Sequence, residues 1–142
     1  MSYITKSQIR VRYSETDAMG IVHHSRYYPW FEVARDEFVK SVGLNYSEME
    51  KEGLCLPLIE TWAKYIDAAK YDDEVTVTCK IKEMTYVRLI FSYEVIRNSD
   101  GKVITKGKTS HAFCDKTLKP INLKKAFPDY FKKLKNLVCE DD

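Results

Sequence analysis

Residues 26 to 42 carry the one long helical periodicity in the chain, and it limits what everything else can build. Tyr27, Phe31, Ala34, Phe38 and Val42 are spaced 4, 3, 4 and 4 apart with Trp30 beside them, while Glu32, Asp36, Glu37 and Lys40 fall mainly outside that stripe. Pro29 suits a first turn, and Gly43 is placed to end the helix. A helix apolar along a single stripe needs one covering surface, and most of the remaining sequence is strand-like.

Ile9, Val11 and Tyr13 alternate with polar residues, which predicts a first strand reaching Tyr13; Ser14 to Ser25, with Gly20 inside it, predicts a loop. Ser47 and Glu50 have capping-box spacing, predicting a short helical turn over Ser47 to Glu52. Leu54 to Ala69 is a β-like run, Val75 to Ile81 and Leu89 to Val95 alternate cleanly, and Asn98-Ser-Asp-Gly101 supplies a hairpin turn into Lys102 to Asp115. An amphipathic helix is expected at about 127–138, with Tyr130, Phe131 and Leu134 on one side and Lys132, Lys133 and Lys135 on the other. The order predicts an α+β fold, an antiparallel sheet with the long helix on its concave face.

At 142 residues, 44% apolar and 31% charged, the chain is expected to form one domain over 1–142. Its longest apolar run is the six residues Leu54 to Ile59, against about 20 for a membrane-spanning helix. No charged segment followed by an apolar stretch opens the sequence, so the expected location is cytoplasmic. Cys55, Cys79, Cys114 and Cys139 form no Cys-x-x-Cys pair and read as reduced thiols, and no metal-ligand spacing stands out. The net charge of +2 is uneven, with 7 lysines against 4 acids from residue 116 onward; without an arginine cluster or binding motif this reads as a solvated face rather than a nucleic-acid site.

Chemistry concentrates between Tyr13 and Tyr27, where Glu15, Asp17, His23 and His24 precede the long helix. The unpaired N–H groups of a first helical turn, aided by the helix dipole, suit an oxyanion. Asp17 beside them is placed either to attack a carbonyl or to take a proton from water. The plain alternatives are that Asp17 caps its loop, that the two histidines are ordinary exposed residues, and that Tyr27 belongs to the core. Glu15 shares the face of Asp17 if strand geometry persists that far.

The run Arg10-Val-x4-Thr16-Asp17-x2-Gly20-Ile21-Val22-x-His24-x2-Tyr27 resembles the signature of the 4-hydroxybenzoyl-CoA thioesterase family of hot-dog proteins. Tyr71-Asp72-Asp73-Glu74-Val75 resembles that family's second recurring stretch, and the Thr-Asp-x-x-Gly-Ile-Val-x-His form is most similar to the bacterial branch that includes Tol-Pal-associated acyl-CoA thioesterases. The resemblance implies a hot-dog fold, a homodimer often paired into a homotetramer, and active sites at the dimer interface. It makes Asp17 the catalytic carboxylate and the backbone N–H of His24 the group that polarises the thioester carbonyl, with Gly20, Ile21, Val22 and Tyr27 around the substrate. No cofactor is implied, coenzyme A being part of the acyl-CoA substrate. Arg88 is the candidate for the coenzyme A phosphates, where relatives carry a small hydroxyl residue, with Lys116, Lys119, Lys124 and Lys125 as further basic groups. Two rival functions share the fold: hydration or dehydration of an enoyl thioester by His23 or His24 with Glu32, Asp36 or Glu37, and non-catalytic acyl-thioester binding.

Overall fold

A computed structural model describes residues 3–139; the outermost residues of the expected 1–142 domain lie outside that range. Its five strands form one antiparallel sheet: β1 (Thr5–Arg10), β2 (Leu58–Tyr65), β3 (Glu74–Met84), β4 (Arg88–Arg97) and β5 (Lys102–Ala112), ordered β1-β3-β4-β5-β2. The long helix α1 (Tyr27–Ser41) lies against it, with short helices α2 (Tyr46–Lys51), α3 (Leu123–Ala126) and α4 (Pro128–Lys135). This is the antiparallel sheet packed on one long helix that the periodicities predict, in the hot-dog arrangement that the resemblance implies.

The helical stripe and the inward sides of the strands meet in one core. Phe31, Ala34 and Phe38 are fully buried against Val77, Phe91, Tyr93 and Val95. The Phe31 ring stacks on Tyr93 with centroids 4.5 Å apart and lies so close to β5 that a Cβ on Gly107 would stand 2.4 Å from its ring carbons. Past the end of α1, the Gly43 and Leu44 N–H groups return to the Lys40 and Val39 carbonyls at 3.0 and 3.1 Å, with Gly43 at φ +81°, closing the helix where its glycine indicated.

Four local expectations change. Strand β1 stops at Arg10; Val11 still bonds across to Asp73 at 2.8 Å, but Tyr13 opens a 3-10 turn and is 77% exposed, packing edge-on to Tyr71. Helix α2 is capped by Asn45, whose Oδ1 accepts the Ser47 N–H at 2.8 Å, instead of by Ser47. The Leu54 to Ala69 run narrows to β2, because Cys55 pairs outside that strand with Cys114 and a bulge separates Leu58 from Glu60. The C-terminal helix breaks at Phe127 and ends at Lys135, after which Val138 bridges to Ile81 and the Cys139 N–H bonds the Ile81 carbonyl at 2.9 Å.

Candidate active site

The segment between β1 and α1 is a tight hairpin. Thr16 and Val22 bridge, the Asp17 N–H reaches the Ile21 carbonyl and the Gly20 N–H reaches the Asp17 carbonyl, each at 2.9 Å. Gly20 sits at φ +80°, the left-handed position that closes such a three-residue loop. Asp17 caps its own turn, Oδ1 accepting the Met19 N–H at 2.8 Å, while Oδ2 has no hydrogen-bond partner among the described residues. Loop capping and an available carboxylate oxygen therefore coexist on one side chain.

Glu15 fastens this hairpin to the helix. It is 3% exposed, accepts the Trp30 indole N–H at 2.9 Å and the Arg12 N–H at 2.8 Å, and its backbone carbonyl takes the His23 N–H at 2.9 Å. Burial alone would raise its pKa, but these hydrogen bonds and the Arg12 charge outweigh it and hold the carboxyl below its ordinary value. The strand does not extend far enough for Glu15 to share the Asp17 face, so its position is structural. No local pattern marked that contact with Trp30.

The helix begins with a 3-10 turn, His24–Arg26. Within it the Ser25 N–H is taken by His23 Nδ1 at 3.2 Å and the Arg26 N–H by the His23 carbonyl at 2.9 Å; the His24 N–H has no partner among the described residues. An unpaired amide at a helix start can donate to an oxyanion, and Asp17, with one carboxylate oxygen free, lines the same cleft. The imidazoles of His23 and His24 lie with centroids 4.1 Å apart and planes tilted by 34°, and the Tyr65 hydroxyl donates to the His24 carbonyl at 3.3 Å.

Asp17, Ile21, Val22, His24 and Tyr27 line one cleft of about 220 Å³, closed on its other side by Tyr65, Asp67 and Ala68. The Val22 N–H to Ala69 carbonyl bond, 2.9 Å, ties its two walls together. Tyr27 is both wall and core: it is 2% exposed, its ring lies 5.4 Å from that of Tyr65, and burial raises its pKa. Burial and the neighbouring Tyr28 and Tyr27 push the Tyr65 hydroxyl up to about 12, so it stays a donor at neutral pH. Asp67 bonds Lys102 at 2.8 Å and Arg97 at 3.3 Å; the Lys102 bond foremost lowers its pKa to about 2.

Gly20 shapes the loop without lining the cleft, and Arg88 stands elsewhere. It faces Ala112 at the far end of β4 from Val95, seven residues or about 23 Å along the strand, whereas Tyr65 and Thr105 mark the cleft end. Tyr65 and Asp67, more than 40 residues from Asp17 in sequence, carried no signal as site residues.

A second cleft, about 520 Å³, opens at the other end of β2 between Leu56, Leu58, Glu32, Arg35, Tyr46 and His111. Behind it runs a bonded chain: Arg35 Nη1 donates to the Tyr93 hydroxyl at 3.0 Å, that hydroxyl meets Thr109 Oγ1 at 2.6 Å, and Thr109 Oγ1 meets His111 Nε2 at 3.0 Å. Burial, then the Arg35 charge, lowers the His111 pKa to about 4, so its ring is neutral.

Fold and cleft together define a hot-dog protein with a carboxylate loop at the start of its central helix. A family model described as the thioesterase-like superfamily matches residues 11–133, and the chain belongs to that superfamily. It is 36% identical over 129 residues to the putative acyl-CoA thioesterase YneP of Bacillus subtilis, covering 90% of this chain and 93% of that one. It is 33% identical over 92 residues to the acyl-CoA thioesterase YbgC of Haemophilus influenzae, covering 64% and 68% respectively. Among solved structures, the DHNA-CoA thioesterase of Staphylococcus aureus superposes with a TM-score of 0.88 at 31% identity, over 94% of this chain and 90% of that one.

Proposed function

We propose that this chain is an acyl-CoA thioesterase that hydrolyses its substrate with Asp17 as nucleophile or general base and the backbone N–H of His24 as the donor to the thioester carbonyl. The observation that carries the reading is the pairing of an unbonded Asp17 oxygen with an unbonded His24 amide in one cleft. A thiolate leaves readily, so such a site needs little acid catalysis; one oxyanion donor is typically worth about 10² to 10³ in rate. The relatives' names give the substrate class.

The finer placement, in the 4-hydroxybenzoyl-CoA branch near its Tol-Pal-associated members, rests on the Arg10 to Tyr27 signature, its Thr16 to His24 form and the Tyr71 to Val75 stretch. Assembly as a homodimer draws support from β2, an edge strand that leaves Leu58, Ile59 and Tyr65 exposed. Four free thiols fit a reducing, cytoplasmic setting, and no helix among the described residues is long and apolar enough to cross a membrane. Phosphate contacts from Arg88 in the same subunit are not part of this reading.

The hydratase alternative, His23 or His24 with Glu32, Asp36 or Glu37, finds no hydrogen bond or ion pair between those groups among the described residues: Glu37 bonds Ser7, Asp36 pairs with Lys40 at 3.0 Å, and Glu32 lines the second cleft, away from both histidines. Release of free thiol from short, medium, long and aromatic acyl-CoAs tests the proposal. Turnover of at least one class is expected, and Asp17→Asn should lower kcat/KM by about 10² to 10⁴. Binding without turnover, or an active Asp17→Asn, refutes it.

A further inference from the structure

The sheet face turned away from α1 carries lysines in two adjoining rows. Successive cross-strand partners give Lys6, Thr78, Glu94, Lys106 and Lys64 in one, and Lys80, Ser92, Lys108 and Trp62 in the next. Apart from Lys64, these rows line a trough of about 660 Å³ in which Glu94 is the one acid among the described residues, with Ile4 and Ile96 as apolar walls and Lys108 Nζ 5.2 Å over the Trp62 ring. Lys6, Lys64, Lys80, Lys106 and Lys108 make no ion pair among the described residues. Lys64 stands directly opposite Lys106, a like-charge cross-strand placement that costs stability. On its other side Lys106 faces Glu94, without an ion pair between them among the described residues.

We infer that this trough is a docking surface for an acidic helix of a partner protein. From β1 to β2 the band crosses four strand spacings, about 19 Å, and is two rows deep. A helix rising about 1.5 Å per residue covers that length in about 13 residues, and a row of carboxylates along one side meets the lysines. The trough between these side chains disfavours a flat bilayer, since cations set along it do not all reach a plane at once. A second copy of this face would oppose lysine to lysine. A polynucleotide would find no arginine fork in the lining, and the one exposed indole there is already covered by Lys108. The trough lies on the opposite face from α1 and Tyr27, so an occupant leaves the Asp17 cleft open; the inference does not rest on the thioesterase reading.

The test titrates the whole protein with a synthetic helical peptide of about 15 residues carrying glutamates along one face. Trp62 emission reports binding, because Trp62 is 46% exposed whereas Trp30 is 3% exposed. A saturable complex is expected whose affinity falls at least about tenfold in Lys80→Glu/Lys106→Glu and falls with added salt. A peptide of the same charge broken by prolines should bind several-fold more weakly, and Lys132→Glu on α4 should bind like wild type. Should the double reversal fold poorly by circular dichroism, Lys106→Gln carries the same comparison with a smaller loss. Acyl-CoA hydrolysis by these variants is expected to match wild type. The inference is overturned if reversal leaves peptide binding unchanged, if the broken peptide binds equally well, or if phosphatidylglycerol vesicles or an oligothymidylate bind more tightly than the helical peptide.

Discussion

The two ends of β2 treat polar groups in opposite ways. At the Tyr65 end, one Asp17 oxygen and the His24 amide lack partners among the described residues, and His24 is exposed to solvent while His23 is half-buried. At the Leu58 end, Arg35, Tyr93, Thr109 and His111 form an unbroken chain of hydrogen bonds beneath the helix. A group already bonded has little left to offer a developing charge, whereas a bonded buried group that loses its partner bears the full desolvation cost. The first end keeps polar groups available to a ligand, and the second spends them on rigidity.

The sharpest way to break this contrast is Asp17→Asn. Its amide oxygen still accepts the Met19 N–H, so thermal unfolding should barely move while hydrolysis collapses; a large drop in Tm would mean the carboxylate works mainly for the fold. Thr109→Val, at the rigid end, keeps the shape but strips the partner from His111 Nε2 and one from Tyr93, costing about 1 to 3 kcal/mol in denaturant unfolding. An equally deep loss of hydrolysis per folded molecule would carry that network into the reaction.

Acid sharpens the same contrast. With His111 at about 4 in the fold and 6.5 as its reference, the unfolded chain binds a proton that the folded one refuses between those values. Its contribution is therefore complete above pH 6.5 and is lost as the pH falls toward 4, with a slope of up to about 1.4 kcal/mol per pH unit. Urea midpoints at neutral and mildly acidic pH should separate, and His111→Gln should flatten that part of the profile. The smallest effect is expected from Gly20→Ala. No atom lies within 4 Å of the added methyl, so the cost is the left-handed backbone alone, about 1 to 2 kcal/mol, accompanied by slower turnover as the Asp17 turn relaxes.

Periodicity made the sheet and α1 legible, because Tyr27, Phe31, Ala34 and Phe38 on the helix and Val75, Val77, Cys79 and Ile81 on β3 report burial through local spacing. The Asp17 loop was readable for a related reason: carboxylate, glycine and helix start all fall within a few residues. Glu15 was not, since its partner Trp30 is set by how the hairpin folds back on the helix. The His111 network was equally hidden; its members come from α1, β4 and β5, and in sequence Thr109 and His111 look like ordinary strand residues. Asn45 displaced Ser47 as a cap because two residues with similar side-chain chemistry compete at a helix start, and the chain path decides between them.

The bare backbone at Gly107 works as a spacer gauge. It lets the Phe31 ring settle on β5 at a distance no side chain would tolerate, and Phe31 lies one helical turn beyond Tyr27, where α1 begins. A methyl group there would lever the start of the helix outward and carry the His24 amide with it. The reach of the amide proposed to meet the thioester carbonyl would then be tuned by a residue with no chemistry of its own, more than 80 positions away along the chain.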